Sequence, residues 1–200
     1  MNIKRIITGT LQTNCYIIED DKTACVIDPG GNHEIILSEI GDKTLDKIIL
    51  THGHFDHFMA AEELKKATNA KLYISEEDAP MLSDYTKSLY DMLGVKDSGF
   101  KPTAADCFLG ENIEICKECF EIIKTPGHSS GSICLLKDDI LFSGDTLFRG
   151  SIGRYDHGSY DELMHSLWSL MLMEDETAVL PGHGDMTTIG NERKTNPFLR

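Results

Sequence analysis

The stretch Lys47-Ile48-Ile49-Leu50-Thr51-His52-Gly53-His54-Phe55-Asp56-His57 decides the fold. Its apolar first half reads as a buried strand, and its second half places three imidazoles and a carboxylate between residues 52 and 57, ahead of a helical pattern. Neutral imidazole and ionised carboxylate are the usual ligands of divalent zinc, iron or manganese. A solvated polar loop accounts poorly for four such groups wedged between a strand and a helix. In layered α/β folds, sites form where strands end. The stretch therefore predicts a site at a strand terminus whose remaining groups come from elsewhere in the chain.

Upstream, residues 3–7, 14–18 and 23–27 are β-rich, with turn signals at Gly9 and at Asp20-Asp21-Lys22, and suggest an antiparallel meander. Asp28-Pro29-Gly30-Gly31 ends the third run, and Asn32 can cap a helix reaching about Gly41. Downstream, residues 57–68 carry Phe58, Ala60, Ala61, Leu64 and Ala67 at near-helical spacing and stop at Asn69; residues 71–74 read as a strand. Residues 75–111 are the least regular part. They predict a helix from 76 to about 93, then loop signals at Gly94, Asp97-Ser98-Gly99 and Pro102, a segment suited to covering a site.

A second β block follows at 113–116, 119–123, 132–136 and 140–142, then a helix over about 158–174 and a short strand at 177–180. Two strand blocks, each with its own helices, argue for two sheets packed face to face with helices outside. Neither a sequence repeat nor an interdomain linker divides the chain. Cys116-Lys117-Glu118-Cys119 has the spacing of half a zinc knuckle, but no second pair completes it, and a hairpin turn fits better.

Lys and Arg number 19 against 33 Asp and Glu, a net charge of −14, which repels phosphate backbones and anionic membrane surfaces. Nucleic acid and membrane are excluded as expected partners. The sequence has no basic leader followed by an apolar segment, and no run of membrane-spanning length. A cytoplasmic location is expected, with the six cysteines reduced.

Three later stretches repeat one design, a strand ending in a glycine turn that carries a ligand-type residue: Thr125-Pro126-Gly127-His128, Phe142-Ser143-Gly144-Asp145-Thr146 and Leu180-Pro181-Gly182-His183-Gly184. A lone turn histidine means little. Together with the opening stretch, however, they make a set of histidines and aspartates sufficient for two metals sharing a bridging ligand.

His52-Gly53-His54-Phe55-Asp56-His57, followed in order by His128, Asp145 and His183, resembles the ligand set of the metallo-β-lactamase fold superfamily. Gly144-Asp145-Thr146-Leu147-Phe148 with Gly153-Arg154, and Pro181-Gly182-His183-Gly184 with Thr188-Ile189-Gly190-Asn191-Glu192 and Asn196-Pro197-Phe198, are similar to the short glyoxalase II-like (hydroxyacylglutathione hydrolase-like) members. The resemblance runs nearly end to end and is weakest over 75–111. It implies an α/β (α+β) fold, a four-layer αββα sandwich of two mixed β-sheets, as a single domain over residues 1–200 without an appended C-terminal helical domain.

The resemblance further implies that His52, His54 and His128 hold one metal, Asp56, His57 and His183 a second, and Asp145 both. Asp56 would also orient the attacking hydroxide. Asp28 would buttress the histidine loop, Arg154 would support the site loop by packing or ion pairing, and Arg149 and Tyr155 are weaker candidates for contacting substrate. The metals expected are two divalent ions, zinc first, with iron or manganese as alternatives because no thiolate selects zinc. The implied function is hydrolysis of a small hydroxyacyl thioester, whose thiolate leaves readily. Cleavage of another ester, lactone or phosphodiester, iron-dependent persulfide oxidation, and a non-catalytic metal-binding scaffold are the alternatives. The His54 imidazole and the Asp145 carboxylate depart from the diiron flavoproteins and the zinc β-lactamases of this fold, respectively. Self-association is left open.

Overall fold

The computed structural model describes residues 1–93 and 99–200. Strands β1 (Asn2–Thr8), β2 (Thr13–Glu19) and β3 (Thr23–Ile27) form an antiparallel meander. The chain crosses through α1 (His33–Ile40) to β4 (Thr44–Ile49), then through α2 (Phe55–Phe58) and α3 (Ala61–Thr68) to β5 (Lys71–Ile74), and later adds β6 (Cys107–Phe108). These last three strands pair in parallel from β3 onward, giving a mixed sheet in the order β1-β2-β3-β4-β5-β6.

The second half supplies β7 (Asn112–Ile115), β8 (Glu118–Lys124), β9 (Ile133–Lys137), β10 (Ile140–Gly144), a small hairpin of β11 (Leu147–Phe148) and β12 (Ser151–Ile152), helix α4 (Tyr160–Leu170), β13 (Ala178–Pro181), β14 (Thr187–Thr188) and helix α5 (Ile189–Thr195). The second sheet runs β14-β13-β10-β9-β8-β7, with β10 and β13 parallel and the other pairs antiparallel.

Side-chain alternation along the strands builds three apolar layers. On one face of the first sheet, Cys15, Ile17, Val26 and Ile48 meet Ile36 and Ile40 of α1 and Leu64 of α3. On its other face Tyr16, Ile18, Ile27 and Ile49 meet Ile113, Phe120, Ile122, Leu135 and Phe142 of the second sheet. Behind the second sheet, Cys134, Leu141 and Val179 pack on Leu163, Leu167 and Leu170 of α4 and on Ile189 of α5. The result is the four-layer αββα sandwich of two mixed sheets. Each of these large buried side chains contributes roughly 1.5–3 kcal/mol, and the central layer joins the two sheets.

Between residues 76 and 93 the structure corrects the sequence expectation. In place of one helix stand two short 3-10 turns, Ala79–Ser83 and Tyr90–Leu93. Pro80 enters the first, Asp84 Oδ1 accepts from the backbone N of Thr86 and Lys87, and Leu89 takes φ 64°. Side-chain bonding to the backbone has overridden helical spacing here. The loop signals at Gly94, Asp97 and Ser98 lie outside the described residues.

The helix expected over 57–68 begins earlier and is split into α2 and α3, with Ala60 N donating to Pro29 O at the break. Asn32 stands at the start of α1 without capping it; its Oδ1 accepts from Gly9 N instead. The turn of Cys116 and Lys117, at φ 49° and 67°, joins β7 to β8 as a hairpin, and all six cysteines are free. Among the described residues no helix is long and apolar enough to cross a membrane.

Candidate metal centre

Strand direction brings the ligand-type turns together. In the second sheet β8 and β10 flank β9, each antiparallel to it, and β13 is parallel to β10. The C-terminal ends of β8, β10 and β13, which carry His128, Asp145 and His183, therefore share one edge. The end of β4 is fastened to that edge where Ile133 N donates to Thr51 O, and the start of β2 where Asn14 N donates to Gly182 O. Gly182 must be glycine for this closure. A Cβ there would lie 2.2 Å from Asp145 Oδ1 and 2.8 Å from His57 Cε1.

The seven side chains form one cluster. Donor atoms of His52, His54 and His128 lie within 4.8 Å of one another, as do those of Asp56, His57 and His183, and those of His52, His57 and Asp145. His54 Nδ1 is 2.8 Å from His128 Nε2. Asp145 stands between the groups, with Oδ2 3.6 Å from both His128 Nε2 and His183 Nε2 and Oδ1 3.4 Å from His57 Nε2. Asp56 Oδ2 lies 3.1 Å from His183 Nε2 and accepts from Thr13 Oγ1.

Several rings are oriented from behind. His128 Nδ1 donates to the Arg154 carbonyl at 2.7 Å, which leaves the Nε2 lone pair facing the cluster. Thr51 Oγ1 is 3.1 Å from His52 Nδ1, with His52 Nε2 inward. Asp28 Oδ2 lies 2.9 Å from His57 Nδ1, outside hydrogen-bonding alignment but close enough to act as an ionic partner. The same carboxylate accepts from Thr51 N at 2.8 Å and Thr51 Oγ1 at 2.7 Å. It thus fixes the turn entering the histidine stretch as well as one ring.

The buried setting separates the imidazoles electrostatically. Burial, together with the neighbouring rings, pushes His52 well below the ordinary imidazole value, and burial and His128 hold His54 down at about 3. For His57 burial acts in the same direction, but Asp145, Asp56 and Asp28 outweigh it and hold the ring well above. His183 is also raised, because its bond to Asp56 and the charge of Asp145 exceed the effect of burial. Burial would lift the Asp145 and Asp56 carboxyls. Nearby histidines outweigh that too and keep both below the usual carboxylate range.

A divalent metal fits these residues. His52 Nε2, His57 Nε2 and Asp145 Oδ1 are buried without a hydrogen-bond partner, a condition that costs about 1–3 kcal/mol per group. All three point into the cluster, and its imidazole and carboxylate donors are those that zinc, iron and manganese accept.

A model of the metallo-beta-lactamase superfamily matches residues 8–183. The chain belongs to this superfamily. Hydroxyacylglutathione hydrolase GloC of Haemophilus influenzae is 36% identical to it, over 100% of this chain and 98% of that protein. Among solved structures, the B3 metallo-beta-lactamase BLEG-1 superposes with a TM-score of 0.92 at 34% identity, covering 99% of both chains. TTHA1623 in a di-iron-bound form gives 0.87 at 34% identity, covering 98% of this chain and 100% of that one.

Within this superfamily fold the remaining sequence candidates are dispersed. Arg154 contributes its backbone carbonyl, while its exposed side chain pairs with Asp156 and lines the cleft. Arg149 is exposed and 3.5 Å from Asp185. Tyr155 packs on Tyr160, ring centroids 5.0 Å apart. Neither Arg149 nor Tyr155 lines the cavity of about 480 Å³ over the cluster.

The cavity walls are Leu11, Leu89, Met92 and Phe148, with His157 at the rim beside Arg154. The apolar wall residues come from loops and short turns with no periodicity to mark them. Thr13 and the buried Asp78 were missed for a similar reason, since a single polar residue carries no spacing signal.

Proposed function

We propose that this chain is a dinuclear metal-dependent hydrolase of small hydroxyacyl thioesters. The observation that carries the reading is Asp145, which faces both the His54–His128 side and the His57–His183 side of a single cluster on the floor of a cleft. His52, His54 and His128 would hold one ion, Asp56, His57 and His183 the other, and Asp145 both. When bound, two such ions make hydroxide available at neutral pH and polarise the carbonyl under attack.

The chain's own residues do the rest. Rings aimed from behind by Thr51, Asp28 and the Arg154 carbonyl reach the site preorganised. Asp56, held by Thr13, presents a carboxylate oxygen at the floor, where it can orient a nucleophilic water. Leu11, Leu89, Met92 and Phe148 give the cleft above it an apolar wall. A thiolate leaving group needs little protonation, so the apolar character of these walls is no obstacle to thioester cleavage.

The likeness to GloC supports the hydroxyacyl-thiol class, and the likeness to a di-iron protein keeps iron beside zinc as the metal. A small-molecule substrate, rather than nucleic acid or a membrane surface, accords with the net charge of −14. The likeness to BLEG-1 favours one second reading, cleavage of a β-lactam amide.

The test is thiol release from a panel of hydroxyacyl thioesters, a hydroxyacylglutathione among them, with a cephalosporin in parallel and the metal content measured on the same samples. We expect thiol release that disappears on metal removal and in Asp145→Ala. Full metal content without thiol release, or turnover that survives complete metal removal, would overturn the proposal.

A further inference from the structure

Asp78 is fully buried and takes no part in the chemistry above. It stands just ahead of the turn Ala79–Ser83, and both of its carboxylate oxygens are engaged by donors. Oδ2 accepts from Gly53 N at 2.9 Å and Ser129 Oγ at 2.6 Å. Oδ1 accepts from Gly131 N at 2.8 Å and, more weakly, from Ser130 Oγ at 3.5 Å. Gly53 lies between His52 and His54, and Ser129 follows His128. One carboxylate therefore joins the two loops whose histidines form one of the metal-binding groups.

Close approach is built into the neighbouring backbone. A Cβ on Gly131 would lie 2.7 Å from Asp78 Oδ1, and one on Gly53 would lie 2.9 Å from the Asp78 carbonyl oxygen. Both positions leave room for Asp78 only because they carry no side chain. The hydrogen bonds made by its side chain all go to residues 53 and 129–131. Asp56, His57 and His183 receive none of them.

We propose that Asp78 is a positioning residue for the His52–His54–His128 group. Resting on the metal-ligand reading above, it sets the spacing of His52 and His54 against His128, and thereby the affinity of that group relative to Asp56–His57–His183. The requirement is for a carboxylate in particular. One backbone N–H approaches each oxygen, and an amide has a single acceptor oxygen, so an asparagine there must turn its NH₂ toward either Gly53 N–H or Gly131 N–H. Asp78→Asn is nearly the same size yet opens one side of the clamp.

Metal-free wild type and Asp78→Asn would be titrated with zinc against a competing chelator, with bound zinc counted by native mass spectrometry. Wild type should take up two ions. In Asp78→Asn one ion should bind about 10–100-fold more weakly, the loss typical of changes behind a metal ligand, with the other ion unchanged. Combined with His54→Ala the substitution should add no further loss, whereas combined with His183→Ala it should weaken both sites. Ser129→Ala, which removes one donor and leaves the carboxylate, should weaken the same ion by less, and it carries the test if Asp78→Asn does not fold. Unchanged zinc binding, or parallel weakening of both ions together with a lower melting temperature of the metal-free protein, overturns the positioning role. Fewer than two zinc ions on the wild type would instead overturn the dinuclear reading itself.

Discussion

Replacing Asp28 with asparagine or with alanine should separate two functions of one carboxylate. Asp28 is 1% exposed; it accepts from Thr51 N and Thr51 Oγ1 and lies 2.9 Å from His57 Nδ1. Asparagine keeps a carbonyl oxygen for Thr51 N, and the threonine hydroxyl can rotate to accept from the new NH₂. The stability change is then the difference between charged and neutral hydrogen bonds, about 1–2 kcal/mol. At roughly 2–4 °C per kcal/mol for a chain of this size, the metal-free protein should melt about 2–8 °C lower.

The effect on His57 is of another kind. Asparagine removes the charge that faces His57 Nδ1 across 2.9 Å, and with it the ionic restraint that aims Nε2 into the cluster. Zinc affinity should therefore fall about 10–100-fold. Alanine, by contrast, leaves the Thr51 N–H and hydroxyl buried without acceptors, at about 1–3 kcal/mol each. It also occupies φ 53°, a left-handed conformation costing about 1–2 kcal/mol outside glycine and asparagine or aspartate. The alanine variant should lose about 3–8 kcal/mol in total. Chelator-competed zinc titration and melting of the metal-free proteins read the two effects separately. Wild-type zinc affinity in Asp28→Asn, or equal melting temperatures for the two variants, would refute the reasoning.

Further outcomes follow from the same geometry. Gly182→Ala places a methyl group where Asp145 Oδ1 and His57 Cε1 now lie, so it should lower zinc stoichiometry and thiol release together; retention of both would contradict the close approach. In the metal-free protein, His57 and His183 are raised above the ordinary imidazole value while His52 and His54 are lowered, His54 to about 3. Above about pH 6.5 the folded protein holds protons the unfolded chain has released, and stability falls as pH rises. Below it the unfolded chain takes up protons at His52 and His54 that the folded protein does not, and stability falls again by up to about 1.4 kcal/mol per pH unit for each ring. Urea midpoints of the metal-free protein should thus peak near the ordinary imidazole value, and a steady rise from acid to alkaline pH would contradict the assignment. Burial pushes the Cys134 thiol up to about 11 and those of Cys15 and Cys25 well above their usual value, whereas Cys119 is exposed. Alkylation at mildly alkaline pH should label Cys119 in the native protein and the other three only after denaturation, as peptide mass spectrometry would reveal; rapid native labelling of Cys134 would overturn this.

The long strands and the helix packed behind the second sheet were legible because burial on two faces writes apolar runs, and burial on one side of a helix writes a repeat. β2 and α4 are of this kind. Two-residue strands such as β6, β11 and β14 are shorter than any period, and the seven-residue α5 was passed over as well. Residues 76–93 misled for a different reason. Their apolar spacing suits a helix, but the Asp84 side chain bonds the following backbone and Asp78 is turned inward to two other loops. Arg154 shows a limit of reading side chains from sequence, since the part that meets His128 is its backbone carbonyl.

The sequence by itself determined which chemical groups are present and that each follows a strand, because residue identity and the strand-glycine-turn pattern are local properties. It could not determine their distances. Only the tertiary structure decided that β4, β8, β10 and β13 end at one edge, that Asp145 falls between two groups of histidines, and that Asp28 and Asp78 stand behind them. Those relations depend on strand direction and on packing between residues far apart in the chain. The spacing of histidines along Thr51-His52-Gly53-His54-Phe55-Asp56-His57 is a local fact, whereas the alignment of their rings is set by carboxylates and turns contributed from both sheets.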